Sequence, residues 1–160
     1  MNFIPNHNVG ELGEWLVAKW LEAQGWSILN RRWRCPWGEI DIIAQQNLNI
    51  ASPFLAFVEV KTRSRGNWDA DGLLAITPQK QAKLWQTAQL FLSEKPHLVD
   101  IPCRFDVALV SCQRLRPNNL ELSLSTEDLQ ASPVQLGKPL SVAGYQLILQ
   151  DYLLSAFELS

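Results

Sequence analysis

With 160 residues, 47% of them hydrophobic and 19% charged, the chain is long enough for one domain around a sizeable core, and residues 1–160 are read as a single unit. A formal charge of -2 argues against a protein that coats nucleic acid without specificity, because Lys and Arg supply most of that affinity. No basic start followed by an apolar segment and no run of ~18 apolar residues is found, so a cytoplasmic protein with no membrane association is expected. The three cysteines, Cys35, Cys103 and Cys112, are widely spaced without a CxxC pair, which predicts reduced and mostly buried thiols rather than a zinc site.

Val9, Leu12, Leu16 and Trp20 recur at helical spacing, with Asn8 to cap the start and Gly25 to end the element, and predict a helix from about residue 9 to 24. "WSILNRRWR" carries a short apolar strand signal, followed by an arginine cluster and a turn at Pro36 to Gly38. "GEIDIIAQ" reads as a strand with Glu39, Asp41 and Ile43 on one face and Ile40, Ile42 and Ala44 on the other. "QNLNIASP" is a loop, and "FLAFVEVKTR" a strand that pairs antiparallel with the previous one across this long connection.

"GNWDADGLL" reads as a loop, and Thr77-Pro78 opens a second helix striped by Leu84, Ala88, Phe91 and Leu92. "CRFDVALVSC" is a strand, apolar except for Asp106, and "LELSLST" alternates like another. Residues 126–141 look like an irregular connector, and "YQLILQDYLLSAF" predicts a closing helix over about residues 146–158. The order α, β, β, β, α, β, β, α implies an α/β (α+β) fold, a mixed central sheet flanked by helices.

In "FVEVK", Glu59 and Lys61 share a strand face with Phe57, while Val58 and Val60 share the other. Asp41 interrupts the partner strand, and Glu14, with Val17, Ala18 and Leu21 at i+3, i+4 and i+7, borders the apolar face of the first helix. Carboxylates gathered in a partly buried pocket repel one another and need a cation; all-oxygen ligation suits Mg²⁺ or Mn²⁺. Lys61 could then orient or deprotonate an attacking water, or neutralise charge on a phosphoryl transition state. Basic residues gather beside these acids: Arg31, Arg32 and Arg34; Lys61, Arg63 and Arg65; Lys80 and Lys83. Singly, each group also has an ordinary reading as an exposed strand pair, an arginine-bonded acid or a solvated helix residue.

The blocks "GEWLVAKWLEAQGWSIL", "RCPWGEIDIIA", "FVEVKTRS", "TPQKQAKLWQTAQLFL" and "CRFDVALV" resemble the bacterial UPF0102 family over about residues 10–110. "DYLLSAF" is similar to the family's closing helix, and residues 111–147 match weakly. The sequence departs from the family pattern at Arg32, where asparagine is common, and in a longer loop between Gln45 and Phe54. The family in turn resembles PD-(D/E)xK nucleases of the Holliday-junction resolvase and tRNA-endonuclease-like type, which implies a restriction-endonuclease-like core.

Carried over residue by residue, the resemblance implies that Asp41, Glu59 and the carbonyl of Val60 hold Mg²⁺ or Mn²⁺, that Lys61 is the catalytic lysine and that Glu14 is an additional acid. Glu39 would assist them, and Asp106 would be a structural acid. Arg34, Arg63, Arg65 and Lys80 would hold the backbone of nucleic acid, with DNA the expected substrate. A homodimer would be required for a branched junction cut at two equivalent positions. The competing expectation is a nucleic-acid-binding or scaffold protein that keeps the nuclease fold without turnover. Seven tryptophans invite a base-stacking role, but Trp20 and Trp85 fall on predicted helices and read as core, leaving Trp33, Trp37 and Trp68 nearer the proposed cleft.

Overall fold

In the computed structural model, which describes residues 8–47, 49, 51–64, 76–116 and 133–157, the chain begins with helix α1 (Val9–Ala23). Asn8 accepts a hydrogen bond from Gly10 N–H at its start, and Gly25, at φ +89°, leaves it through the left-handed region that glycine enters without a Cβ penalty. Strands β1 (Trp26–Cys35) and β2 (Gly38–Gln46) form an antiparallel hairpin turned at Pro36 and Trp37. Strand β1 therefore runs through the arginine cluster instead of ending before it. As expected, β2 pairs antiparallel with β3 (Leu55–Arg63).

Helix α2 (Pro78–Ser93) starts where Thr77 Oγ1 accepts from Lys80 N–H, with Pro78 in the first turn where no N–H is needed. It supplies the crossover that lets β3 run parallel to β4 (Cys103–Arg114). Strands β5 (Leu140–Val142) and β6 (Tyr145–Phe157) complete a six-stranded mixed sheet in the order β1-β2-β3-β4-β6-β5. This is the α+β fold expected from the sequence, and it is consistent with a restriction-endonuclease-like core. Among the described residues no helix is long and apolar enough to cross a membrane.

Two cores lie on opposite faces of the sheet. Leu12, Leu16 and Leu21 of α1 pack on Ile42, Val58, Val110 and Leu149, while Leu84, Ala88 and Phe91 of α2 pack on Ile43, Phe57, Phe105 and Val107. Burying each of these side chains other than Ala88 contributes about 1.5–3 kcal/mol. Helix α1 sits tightly on β3 at Gly13, where a Cβ would overlap Thr62 Oγ1. That close seat fixes the next residue, Glu14.

Three expectations need correction. The predicted closing helix over residues 146–158 is, through residue 157, strand β6: its continuous apolar run fits either element, and pairing along β4 decides the outcome. Alternate residues Leu147 and Leu149 enter the α1 core, and Ala143 (φ +52°) with Gly144 (φ +81°) makes a two-residue hairpin from β5. Part of the predicted connector at 126–141 is that strand β5; residues 117–132, with the predicted strand "LELSLST", lie outside the described residues. Finally, Ile40 and Ile43 belong to the α2 core and Ile42 with Ala44 to the α1 core, so β2 does not alternate regularly. The irregularity falls at Asp41, opposite Arg32, whose own φ is +50°.

Asp106 is fully buried and structural in its contacts. It accepts from Arg104 Nε at 3.1 Å, Tyr152 Oη at 2.7 Å and Ser155 N–H at 3.0 Å, tying the irregular end of β6, where Ser155 has φ +47°, to β4. The thiols are free: Cys112 is buried, which pushes it up to about 11, and Cys35 and Cys103 are half-buried.

Candidate metal and nucleic-acid site

The β2–β3 ladder stops beyond the pair Ile42 and Val58, so Asp41 and Glu59 stand in the fork where the strands part. There Val60 N–H donates to Asp41 Oδ2 at 2.8 Å, the carboxylate taking the place of a strand carbonyl. Ligand atoms of Glu14, Glu39 and Asp41 lie within 4.8 Å of one another. Glu39 is thus a full corner of this group, a larger part than its sequence neighbourhood suggested. Hard oxygen donors of this kind are the ligand type that Mg²⁺ or Mn²⁺ takes.

Glu59 occupies the α2 side of the fork. It is 8% exposed, and its Oε1 accepts from Lys80 Nζ at 2.6 Å with Lys61 Nζ at 3.3 Å. The Thr77 cap and the first turn of α2 place Lys80 there, so its observed partner is the site's own acid. Arg34 likewise bonds Glu39, Nε to Oε2 at 2.6 Å. Arg63 is exposed at the end of β3, and Arg65 lies outside the described residues, as does Trp68. Trp33 packs edge-on against Phe91 and Trp85 against Phe105, whereas Trp37 is 55% exposed.

Electrostatics mark the fork as strained by charge. Burial, and then the charge of Glu59, push Asp41 up from 3.8 to about 7, against the bond from Val60 N–H. Burial also raises Glu14, outweighing its bond with Arg32. Arg32, nearer water, is raised by that bond, so its direction reports the pair and that of Glu14 reports the pocket. Burial, and then Lys80, lower Lys61; Lys80 is raised overall because its bonds to Glu59 and Lys61 outweigh its own burial.

Arg32, read from the sequence only as one of a basic group and as a departure from the family pattern, contacts the proposed site acid Glu14. Its guanidinium bonds both Glu14 and Glu11 of α1, and nothing in the residue type announces the left-handed backbone that directs it there. Three arginines within four residues of a β-strand were the available signal.

A mixed sheet between two helices, with clustered acids and a lysine pair at a fork between strands, defines an α+β protein with a candidate acid–lysine site. Residues 13–110 match the family described as uncharacterised protein family UPF0102, and the chain belongs to that family. A UPF0102 protein of Trichodesmium erythraeum is 56% identical over 159 residues, covering 94% of this chain and 88% of the relative. One from Acaryochloris marina is 55% identical over 159 residues (96% and 92% covered), and one from Synechocystis sp. 47% identical over 150 residues (94% and 97%).

Proposed function

We propose that the protein is a metal-dependent nuclease that hydrolyses phosphodiester bonds, with DNA the first substrate class to test. The observation that carries this reading is the gathering of Glu14, Glu39 and Asp41 ligand atoms within 4.8 Å, beside Glu59 and two lysines. Asp41, Glu14 and Glu39 would hold Mg²⁺ or Mn²⁺, with Glu59 and the Val60 carbonyl completing the ligands after the lysines yield. Such an ion would supply Lewis-acid polarisation of the scissile phosphate and lower the pKa of a bound water.

The protein's own groups define the rest. Lys61, whose ammonium is made less favourable by burial, would take the proton of the attacking water. Lys80 carries the compensating positive charge at Glu59 and can turn to a nonbridging phosphate oxygen. Arg34 and Arg63, both exposed, and Arg65 would hold the backbone without reading its sequence. A branched substrate with two equivalent cuts would require a homodimer.

A non-catalytic nucleic-acid-binding protein is the second reading, favoured by one observation: Glu14, Glu39 and Glu59 each already have a cationic side-chain partner. Labelled duplex, single-stranded, flapped and four-way substrates, incubated with Mg²⁺ or Mn²⁺, separate the two. The nuclease reading expects metal-dependent cutting of at least one substrate, lost in Asp41→Asn and Glu59→Gln. Binding without cutting, unchanged in Asp41→Asn, would establish the second.

A further inference from the structure

Arg32 joins β1 to α1 beside the strand-borne acids. Its Nε donates to Glu14 Oε2 at 2.7 Å and its Nη1 to Glu11 Oε1 at 2.8 Å, so a single guanidinium from β1 grips two carboxylates of the helix. Arg31 pairs with Ile42 and Trp33 with Ile40, which sets Arg32 opposite Asp41. Its φ of +50° is a conformation that Gly, Asn and Asp adopt far more readily than Arg. Backbone strain is therefore spent on aiming a cation at the acid group. The pair with Glu14 is sheltered, with side chains 33% and 16% exposed, whereas the pair of Arg34 with Glu39 involves a side chain 69% exposed, where such contacts count for little.

Resting on the metal-site reading, we infer that Arg32 is a positioning residue that stands in for the divalent cation: it neutralises and aims Glu14 before the ion arrives and must release that carboxylate for the ion to bind. Charge explains why. Glu14, Glu39 and Asp41 within 4.8 Å of one another need a cation, and Arg32 provides it from the Glu14 side while Glu11 anchors its other nitrogen. A dication added to the same carboxylate would then lie against the guanidinium, so the two compete for Glu14. Arg32 thereby sets the affinity of the site and keeps the empty cluster from forcing α1 away from the sheet.

The test is calorimetric titration of Mn²⁺ into the wild type, Arg32→Asn, Glu14→Gln and the double variant. Asparagine removes the charge while accepting the left-handed backbone, and melting in chelator verifies that each variant is folded. Arg32→Asn should bind Mn²⁺ roughly tenfold more tightly, the equivalent of displacing a single sheltered pair. In the Glu14→Gln background the same substitution should have no effect on affinity. A wild type that binds Mn²⁺ and an Arg32→Asn that binds it equally or more weakly would overturn the role of Arg32 while leaving the metal site intact. No Mn²⁺ binding by either would overturn the metal-site reading and this inference with it.

Discussion

Asp41→Asn should make the metal-free protein more stable at high pH and leave it nearly unchanged at low pH. The carboxyl sits at about 7 in the folded protein and at 3.8 by itself, so between these values the folded chain holds a proton that the unfolded chain has lost. The stability this group contributes is complete below about pH 4 and disappears as pH rises through about 7. That difference corresponds to at most about 4 kcal/mol. Water reaching the half-buried carboxylate, and adjustment of the neighbouring lysines, reduce it to roughly 1–2 kcal/mol. Asparagine removes the charge yet keeps an oxygen to accept from Val60 N–H. Thermal melts in chelator should place the variant roughly 2–8 °C above wild type at about pH 8.5, given about 2–4 °C per kcal/mol for a chain of this size, roughly half as far above it at about pH 5.5, and within about 1 °C of it only below about pH 4. A variant equal to or less stable than wild type at the higher pH would refute the claim that Asp41 is held charged against its surroundings.

Three further outcomes follow from the packing and the charges. Asp106→Ala leaves the part-buried Arg104 and Tyr152 without their shared acceptor and should cost about 3–5 kcal/mol, read as a lowered urea midpoint; a shift equivalent to less than about 1 kcal/mol would show that β6 does not depend on it. Gly13→Ala drives a methyl into Thr62 and should cost about 1–3 kcal/mol while weakening Mn²⁺ binding through Glu14, both readable from melts with and without Mn²⁺; a silent substitution would mean that α1 can lift without consequence. Lys80→Gln removes the principal partner of Glu59 and one source of positive charge on Lys61, so the Lys61 ammonium should titrate at higher pH, measured by NMR of lysine side chains; an unmoved titration would uncouple the two lysines.

Much of this architecture could be read from particular residues. Asn8 and Gly25 bracketed α1, and Thr77-Pro78 opened α2, because caps act through local chemistry that the residue types carry. Asp41 and Glu59 stood out because charges interrupting apolar strands need partners. The closing strand was illegible for a different reason: "YQLILQDYLL" suits either element, and only the open edge of β4 selects a strand. The Ala143-Gly144 turn was the overlooked local cue. Arg32 and Glu39 were undervalued because their places depend on a left-handed residue and on the irregular facing of β2 at Asp41, which follow from the packing of two cores against one sheet.

The central claim, a divalent-cation site built on Asp41, is tested most directly by titrating Mn²⁺ into wild type and Asp41→Asn at about pH 6.5 in two buffers of different ionisation heat. The wild type should bind with release of a fraction of a proton, because Asp41 must ionise to become a ligand, and both signals should be lost in the variant. Equal binding by the two proteins, or no heat from either, would contradict it.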